Sequence, residues 1–312
     1  MTTMNAIRFH AYGDSDVLRY EEAERPAPAA GEVLVEVVAT SFNPLDAKLR
    51  AGYLREFLPL ALPHVPGLDV AGRVAALGEG VTRWQVGDQV FGFVPMLSDG
   101  AAAEFVAVPQ DALAAAPESI PLADAAAIPA VGLTAWQAVY EHAGIEAGQR
   151  ILVNGAGGGV GGFAVQLAKR AGAHVIATAS SRSADAVRTQ GADEVIDYTV
   201  TSPAEAISEP VDAVLNTVAA SEADMAALTG LVRDGGVIVS IAAPAPGDAS
   251  RDVRGVDMQM RSDADQIAAL AKLVDAGELG IEISARYPLA ETATVHDLDA
   301  RGGIRGKVLL TP

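Results

Sequence analysis

Residues 150–172 read R-I-L-V-N-G-A-G-G-G-V-G-G-F-A-V-Q-L-A-K-R-A-G, and no other stretch restricts the fold as much. An apolar strand centred on Ile151, Leu152 and Val153 runs directly into five glycines among residues 155–161. A helical period follows, with Phe163, Ala164, Leu167 and Ala168 on one face. Glycines at such a turn let the backbone reverse sharply, approach a pyrophosphate and seat the new helix on its parent strand. The helix start adds unpaired N–H groups and the positive end of its dipole. Lys169 and Arg170 in the last turn, with Gly172 beyond, mark the helix end. The run fits two registers of the dinucleotide fingerprint: Gly157, Gly159 and Gly162, or the Ala-first form Ala156, Gly158 and Gly161.

The same alternation continues downstream. Strand patterns occupy 174–179, 194–198, 211–216 and 236–241, with a short helix over 184–189. Ser221 reads as an N-cap followed by the first-turn acids Glu222 and Asp224. This spacing predicts an α/β fold with a parallel, doubly wound sheet of the Rossmann type. Ligands of such sheets bind outside the carboxyl ends of the strands, so Asn216, Thr217 and Val218, with Ser240 and Ile241, become candidates for cofactor contact. An NAD site usually has Asp or Glu at the end of the second strand. Here that strand runs out as Ala179-Ser-Ser-Arg-Ser. Ser180, Ser181 and Arg182 suit a 2′-phosphate and favour NADPH, with Tyr198 as a further donor at the end of the third strand. The competing role for these serines is to cap the next helix, with Ser183 at the cap.

Before residue 120 the chain reads as short strands between Gly/Pro turns, at 5–9, 18–22, 32–39, 68–74, 89–91 and 104–108. That spacing predicts a compact, partly barrel-like β domain. A helical face recurs over 263–274, and 301–310 ends in a strand that needs a partner sheet. The formal charge of −18 argues against nucleic acid and anionic membrane surfaces as partners. Cysteine is absent and the five histidines are scattered, so no metal site is expected. The start M-T-T-M-N-A-I-R has no apolar run, which reads as cytoplasmic.

The order of short motifs resembles the zinc-free quinone oxidoreductases, similar to zeta-crystallin, of the medium-chain dehydrogenase/reductase superfamily. The motifs are Gly31-Glu-Val-Leu-Val-Glu-Val, Asn43-Pro-Leu-Asp, Pro66-Gly-Leu-Asp-Val-Ala-Gly-Arg-Val and Gly87-Asp-Gln-Val-Phe-Gly. Gly132-Leu-Thr-Ala, the glycine turn, Gly191-Ala-Asp-Glu-Val-Ile-Asp-Tyr and Arg305-Gly-Lys-Val complete the set. The resemblance implies a GroES-like catalytic domain from 1–122 and 263–312, with a nucleotide domain at 123–262 between them. It favours the Ala-first register, setting Ala156, Gly158, Gly159 and Gly161 at the pyrophosphate with Gly157 and Val160 as further cofactor contacts, and it implies a homodimer.

Zinc-dependent members carry Cys in the early loop and a Gly-His-Glu motif; here those positions hold Asn43 and Gly67-Leu68-Asp69. The resemblance therefore implies hydride transfer from NADPH without metal, to a quinone. The alternatives are a conjugated C=C reductase acting on enones or alkenals, and a non-catalytic NADPH-binding protein. Matched positions give Asn43 and Tyr53 as catalytic candidates, Asn43 also as a cofactor contact, and Thr134 as opening a helix beside the nicotinamide. Asp46 reads as a turn carboxylate and His64 as structural. Arg50 lies in the segment that faces the cleft in relatives, and the roles of Arg305 and Lys307 stay open.

Overall fold

The computed structural model describes residues 2–312, in two compact units. One runs to Ala130 and resumes at Ser262–Pro312; the other is Val131–Arg261. The first division falls after Ala130 rather than after residue 122. The short helix Leu122–Ala125 packs on strands of the first unit, and Asp124 pairs with Arg286 at 2.7 Å.

In the first unit, β1 (Thr3–Phe9) and β2 (Leu18–Glu24) form an antiparallel ribbon. β3 (Glu32–Ser41), β4 (Asp69–Leu77), β5 (Gln89–Phe93), β6 (Phe105–Pro109) and β7 (Leu113–Ala115) follow. The second unit supplies β8 (Arg150–Asn154), β9 (His174–Ala179), β10 (Glu194–Asp197), β11 (Val211–Asn216), β12 (Val232–Ser240) and β13 (Arg254–Asp257). The chain then returns to the first unit through β14 (Ile283–Pro288) and β15 (Lys307–Thr311).

The sheet of the first unit has the order β14-β15-β3-β4-β5-β7, with β6 also paired to β3. Val33, Val35 and Val37 recur at the strand period on β3 and meet Val70, Val74, Val90, Val106 and Leu113 in one core. The expected terminal strand is β15, parallel to β14 and antiparallel to β3, with Leu309 opposite Ser41 and Leu310 opposite Thr40. Continuing that register by two residues brings Lys307 level with Asn43. Two helices here carry no strong sequence signal, Pro44–Arg50 and Thr292–Ala300.

The second unit is a six-stranded parallel sheet in the order β10-β9-β8-β11-β12-β13. Numbered from its first strand this is 3-2-1-4-5-6, the Rossmann order. Leu152, Ile176, Val214 and Ile238, from the four central strands, share a core with Met225 and Leu228 of the helix Glu222–Gly230. Ser221 caps that helix reciprocally with Asp224.

Candidate functional site

The glycine turn joins β8 to the helix Gly159–Arg170. Gly155 adopts φ +94°, a left-handed conformation open to glycine at no steric cost. A Cβ on Gly161 would stand 2.3 Å from Gly155 O, so the helix rests directly on the turn. A Cβ on Gly157 would stand 2.5 Å from Ser183 Oγ, while one on Gly158 would meet only Gly155 O, at 3.6 Å. With Gly158 as N-cap, the helical ladder begins with Gly162 N–H donating to Gly158 O. The amides of Gly159, Val160 and Gly161 precede it and are oriented for an anion. Ala156 has a structural part in the turn. Its N–H donates to Thr178 O and its side chain is buried, so it anchors the turn to β9.

A chain of side-chain bonds runs across the carboxyl ends of the four central strands. The Thr178 hydroxyl accepts from Gly155 N–H and donates to Asn154 Oδ1, both at 2.8 Å. Asn154 Nδ2 donates to Asn216 Oδ1 at 2.8 Å, and Asn216 Nδ2 to Ser240 Oγ at 3.1 Å and Val218 O at 2.8 Å. Thr217 Oγ1 donates to Asn154 O at 2.9 Å. Thr217, Val218, Ser240 and Ile241 are thus brought to one edge, held by a belt that fixes β8 against β9, β11 and β12. Asn154 and Thr178, its central members, were not singled out from the sequence, although the Asn before the glycines was its only trace.

Ser180 is half-exposed just past β9, and Ser181 and Arg182 are exposed. Ser183 occupies the cap position of the helix Ala184–Thr189, but its Oγ donates to Ser180 O at 3.4 Å rather than serving the helix. Tyr198 is exposed immediately after β10. Thr134 lies inside the helix Pro129–Trp136 instead of opening it. Glycines that a Cβ would fill, free leading amides and a rigid strand edge together fit a dinucleotide.

The first unit holds a buried polar cluster at the end of β3. Asn43 is 6% exposed and precedes the helix Pro44–Arg50. Its Nδ2 donates to Asp69 Oδ2 at 2.9 Å and, at a long 3.4 Å, to Ser41 O. Its Oδ1 accepts from Lys307 Nζ at 2.7 Å. Asp69 is fully buried, and its carboxylate also accepts from the Ser41 hydroxyl and from Ala130 N–H at 2.7 Å. Lys307 Nζ donates further to Phe42 O at 3.0 Å and to Asp69 Oδ2 at 3.4 Å. Burial pushes the ammonium pKa down, while Asp69 and Asp46 pull it back up.

Asp46 accepts from Asn43 N–H at 2.9 Å and from Gly67 N–H at 3.2 Å, tying two loops together. Burial, reinforced by Asp69, raises its pKa to about 7 against the pull of those two N–H groups. His64 is buried edge-on against Phe9, and burial lowers its pKa. Arg50 points into the unit, where Nη1 meets His296 Nδ1 at 3.2 Å. Burial and Arg50 press His296 down to about 3, so it stays neutral. Arg305 pairs with Glu282 at 2.9 Å. Tyr53 is 79% exposed, on a turn after the helix Pro44–Arg50. Among the described residues no group of three His, Cys, Asp or Glu side chains is arranged to hold a metal ion. No helix among them is long and apolar enough to cross a membrane.

Residues 29–118 match the alcohol dehydrogenase GroES-like domain, and 190–310 match a domain described as zinc-binding dehydrogenase. The chloroplast envelope quinone oxidoreductase homolog of Arabidopsis thaliana is 34% identical, over 99% of this chain and 98% of its own. The chain belongs to the quinone oxidoreductase-like branch of the medium-chain dehydrogenase/reductase superfamily. The structure of the quinone oxidoreductase from Coxiella burnetii matches at TM-score 0.90 and 31% identity, covering 100% of both chains. Mycobacterial Rv1454c complexed with NADPH matches at TM-score 0.87 and 28% identity, over 99% of this chain and 100% of that one. The protein is an oxidoreductase that uses a nicotinamide cofactor.

Proposed function

We propose that this oxidoreductase takes hydride from NADPH and delivers it to a quinone. The observation that carries the reading is the bonding among Asn43, Asp69 and Lys307. Of the positions that match the Cys and the Gly-His-Glu motif of zinc-dependent relatives, Asn43 and Asp69 are here bonded to one another and to an ammonium, and the His position is Leu68, which has no ligand atom. With that donor set engaged internally, the acceptor must spread the negative charge that hydride arrival creates, and a quinone does so as its hydroquinone anion.

When bound, the reduced nicotinamide supplies the hydride. Gly157, Gly159 and Val160 would hold the pyrophosphate, and Thr134, Thr217, Val218, Ser240 and Ile241 would border the rest of the cofactor. Ser180, Ser181 and Arg182, with no carboxylate at the end of β9, support NADPH over NADH. The second Asn43 amide proton, weakly used at 3.4 Å, is the one available to the acceptor or nicotinamide. Tyr53 is read as the exposed hydroxyl donor. A homodimer belongs to the same reading, since β13 pairs only β12 and leaves an open edge among the described residues. So does a cytoplasmic setting, because the cysteine-free chain has no disulfide for an oxidising compartment to form.

The test is NADPH oxidation with quinones beside conjugated enones, NADH as control, and identification of the product. Hydroquinone formation is expected, at rates unchanged by a chelator. A saturated carbonyl product would move the acceptor to conjugated alkenes, and NADPH binding without oxidation by any acceptor would refute the proposal.

A further inference from the structure

Lys307 is 3% exposed, and each of its three ammonium protons has an oxygen acceptor. All three acceptors lie far away in sequence, 238 to 265 residues earlier. Two of them, Phe42 O and Asn43 Oδ1, belong to the segment leading from β3 into the helix Pro44–Arg50. We propose that Lys307 is a positioning residue, a tethered resident cation that fixes the Asn43 amide and its loop for hydride transfer.

An Asn amide can sit in two orientations that differ by exchange of oxygen and nitrogen. Here the ammonium requires the oxygen on one side, while the Asp69 carboxylate requires the NH2 on the other. The reversed orientation would set NH2 against ammonium and oxygen against carboxylate. A single orientation survives, and it aims the weakly bonded second proton the same way in every molecule. The backbone is held as firmly. Phe42 O is bound by the same ammonium, and Asn43 N–H is bound by Asp46. β15 brings the cation in, because its antiparallel register on β3 carries Lys307 level with Asn43.

One ammonium here serves two neutral oxygens and one carboxylate oxygen at once. A buried carboxylate alone would be left uncompensated. A merely structural role would be served equally well by removing both members of the ion pair. A positioning role would not, because the Asn43 oxygen would lose its donor even after the charges were balanced.

That difference supplies the test, which rests on Asn43 facing the acceptor or nicotinamide as proposed above. Lys307→Met and the double variant Lys307→Met/Asp69→Asn are compared with the wild type. Thermal unfolding, NADPH affinity, kcat with a quinone and the Asn43 side-chain amide resonances are measured. The single variant is expected to lose thermal stability and the double variant to regain most of it. The double variant's kcat is expected to remain roughly tenfold to a hundredfold low. Its Asn43 amide protons are expected to exchange faster with solvent than in the wild type.

Wild-type kcat in the double variant, or unchanged Asn43 protection, would overturn the proposal. Failure of the wild type to reduce quinones would instead refute the acceptor reading, and the amide resonances would still decide the role of Lys307.

Discussion

Asp46 is buried and ties the loop at Asn43 to the loop at Gly67 through two backbone N–H groups. Its pKa stands at about 7 against an ordinary 3.8, raised first by burial. The difference is about 3 pH units, and at about 1.4 kcal/mol per unit it amounts to about 4 kcal/mol. The folded protein binds this proton more tightly than the unfolded chain does. The contribution of Asp46 to stability is therefore complete below about pH 4 and lost as pH rises to about 7. Asp46→Asn removes the titration. Its oxygen can serve one of the two N–H groups, and the other is left unbonded at a pH-independent cost of about 1–3 kcal/mol. In urea unfolding across this range, the variant should be less stable than the wild type at about pH 5. That gap should shrink, and can reverse, by about 3 kcal/mol on going to about pH 8. A gap that is constant with pH, or that widens as pH rises, would refute the reasoning.

Arg182→Ala should weaken NADPH binding by about 1.5–3 kcal/mol, the value of a charge-assisted bond, and leave NADH binding unchanged. Equal losses for both cofactors, by fluorescence titration, would remove the 2′-phosphate assignment. Gly161→Ala places a Cβ 2.3 Å from Gly155 O and should cost about 1–3 kcal/mol in unfolding experiments, with weaker cofactor binding alongside. An unchanged melting temperature would mean that the turn is looser than described. Tyr53→Phe should leave stability untouched, because the ring is 79% exposed, while lowering kcat. Full activity in that variant would take Tyr53 out of the reaction.

The Rossmann unit was legible because its signals are local. Glycines sit where the chain turns, β-branched runs stand at regular spacing, and Ser221 lies three residues before Asp224. The helix Pro44–Arg50 has only a weak local signal, Asn43 followed by Pro44, and at seven residues it is too short for a helical period to show. β14 was hidden because Ile283–Pro288 alternates half-buried with exposed positions and carries no apolar run. The polar cluster was beyond local reading altogether. Asp69 stands in the sequence where zinc-dependent relatives carry the Glu of Gly-His-Glu, and the role of Lys307 is open. Only the pairing of β15 with β3, across more than two hundred residues, brings them together. Nothing in the sequence indicated that the Asn43 amide would be held on both sides, since each partner is conspicuous only from inside the fold.

The discontinuity of the first unit gives the order of synthesis a physical meaning. Residues 131–261 leave the ribosome as one uninterrupted piece, so the nucleotide-binding sheet has all its strands before the chain is finished. Asp69 and Asn43 emerge far earlier, but the ammonium that neutralises and orients them is translated 238 residues after Asp69. Until then a carboxylate destined for a dry interior has no counter-charge, and water is its better solvent. The half of the enzyme that is made first is thus the half whose interior can close last.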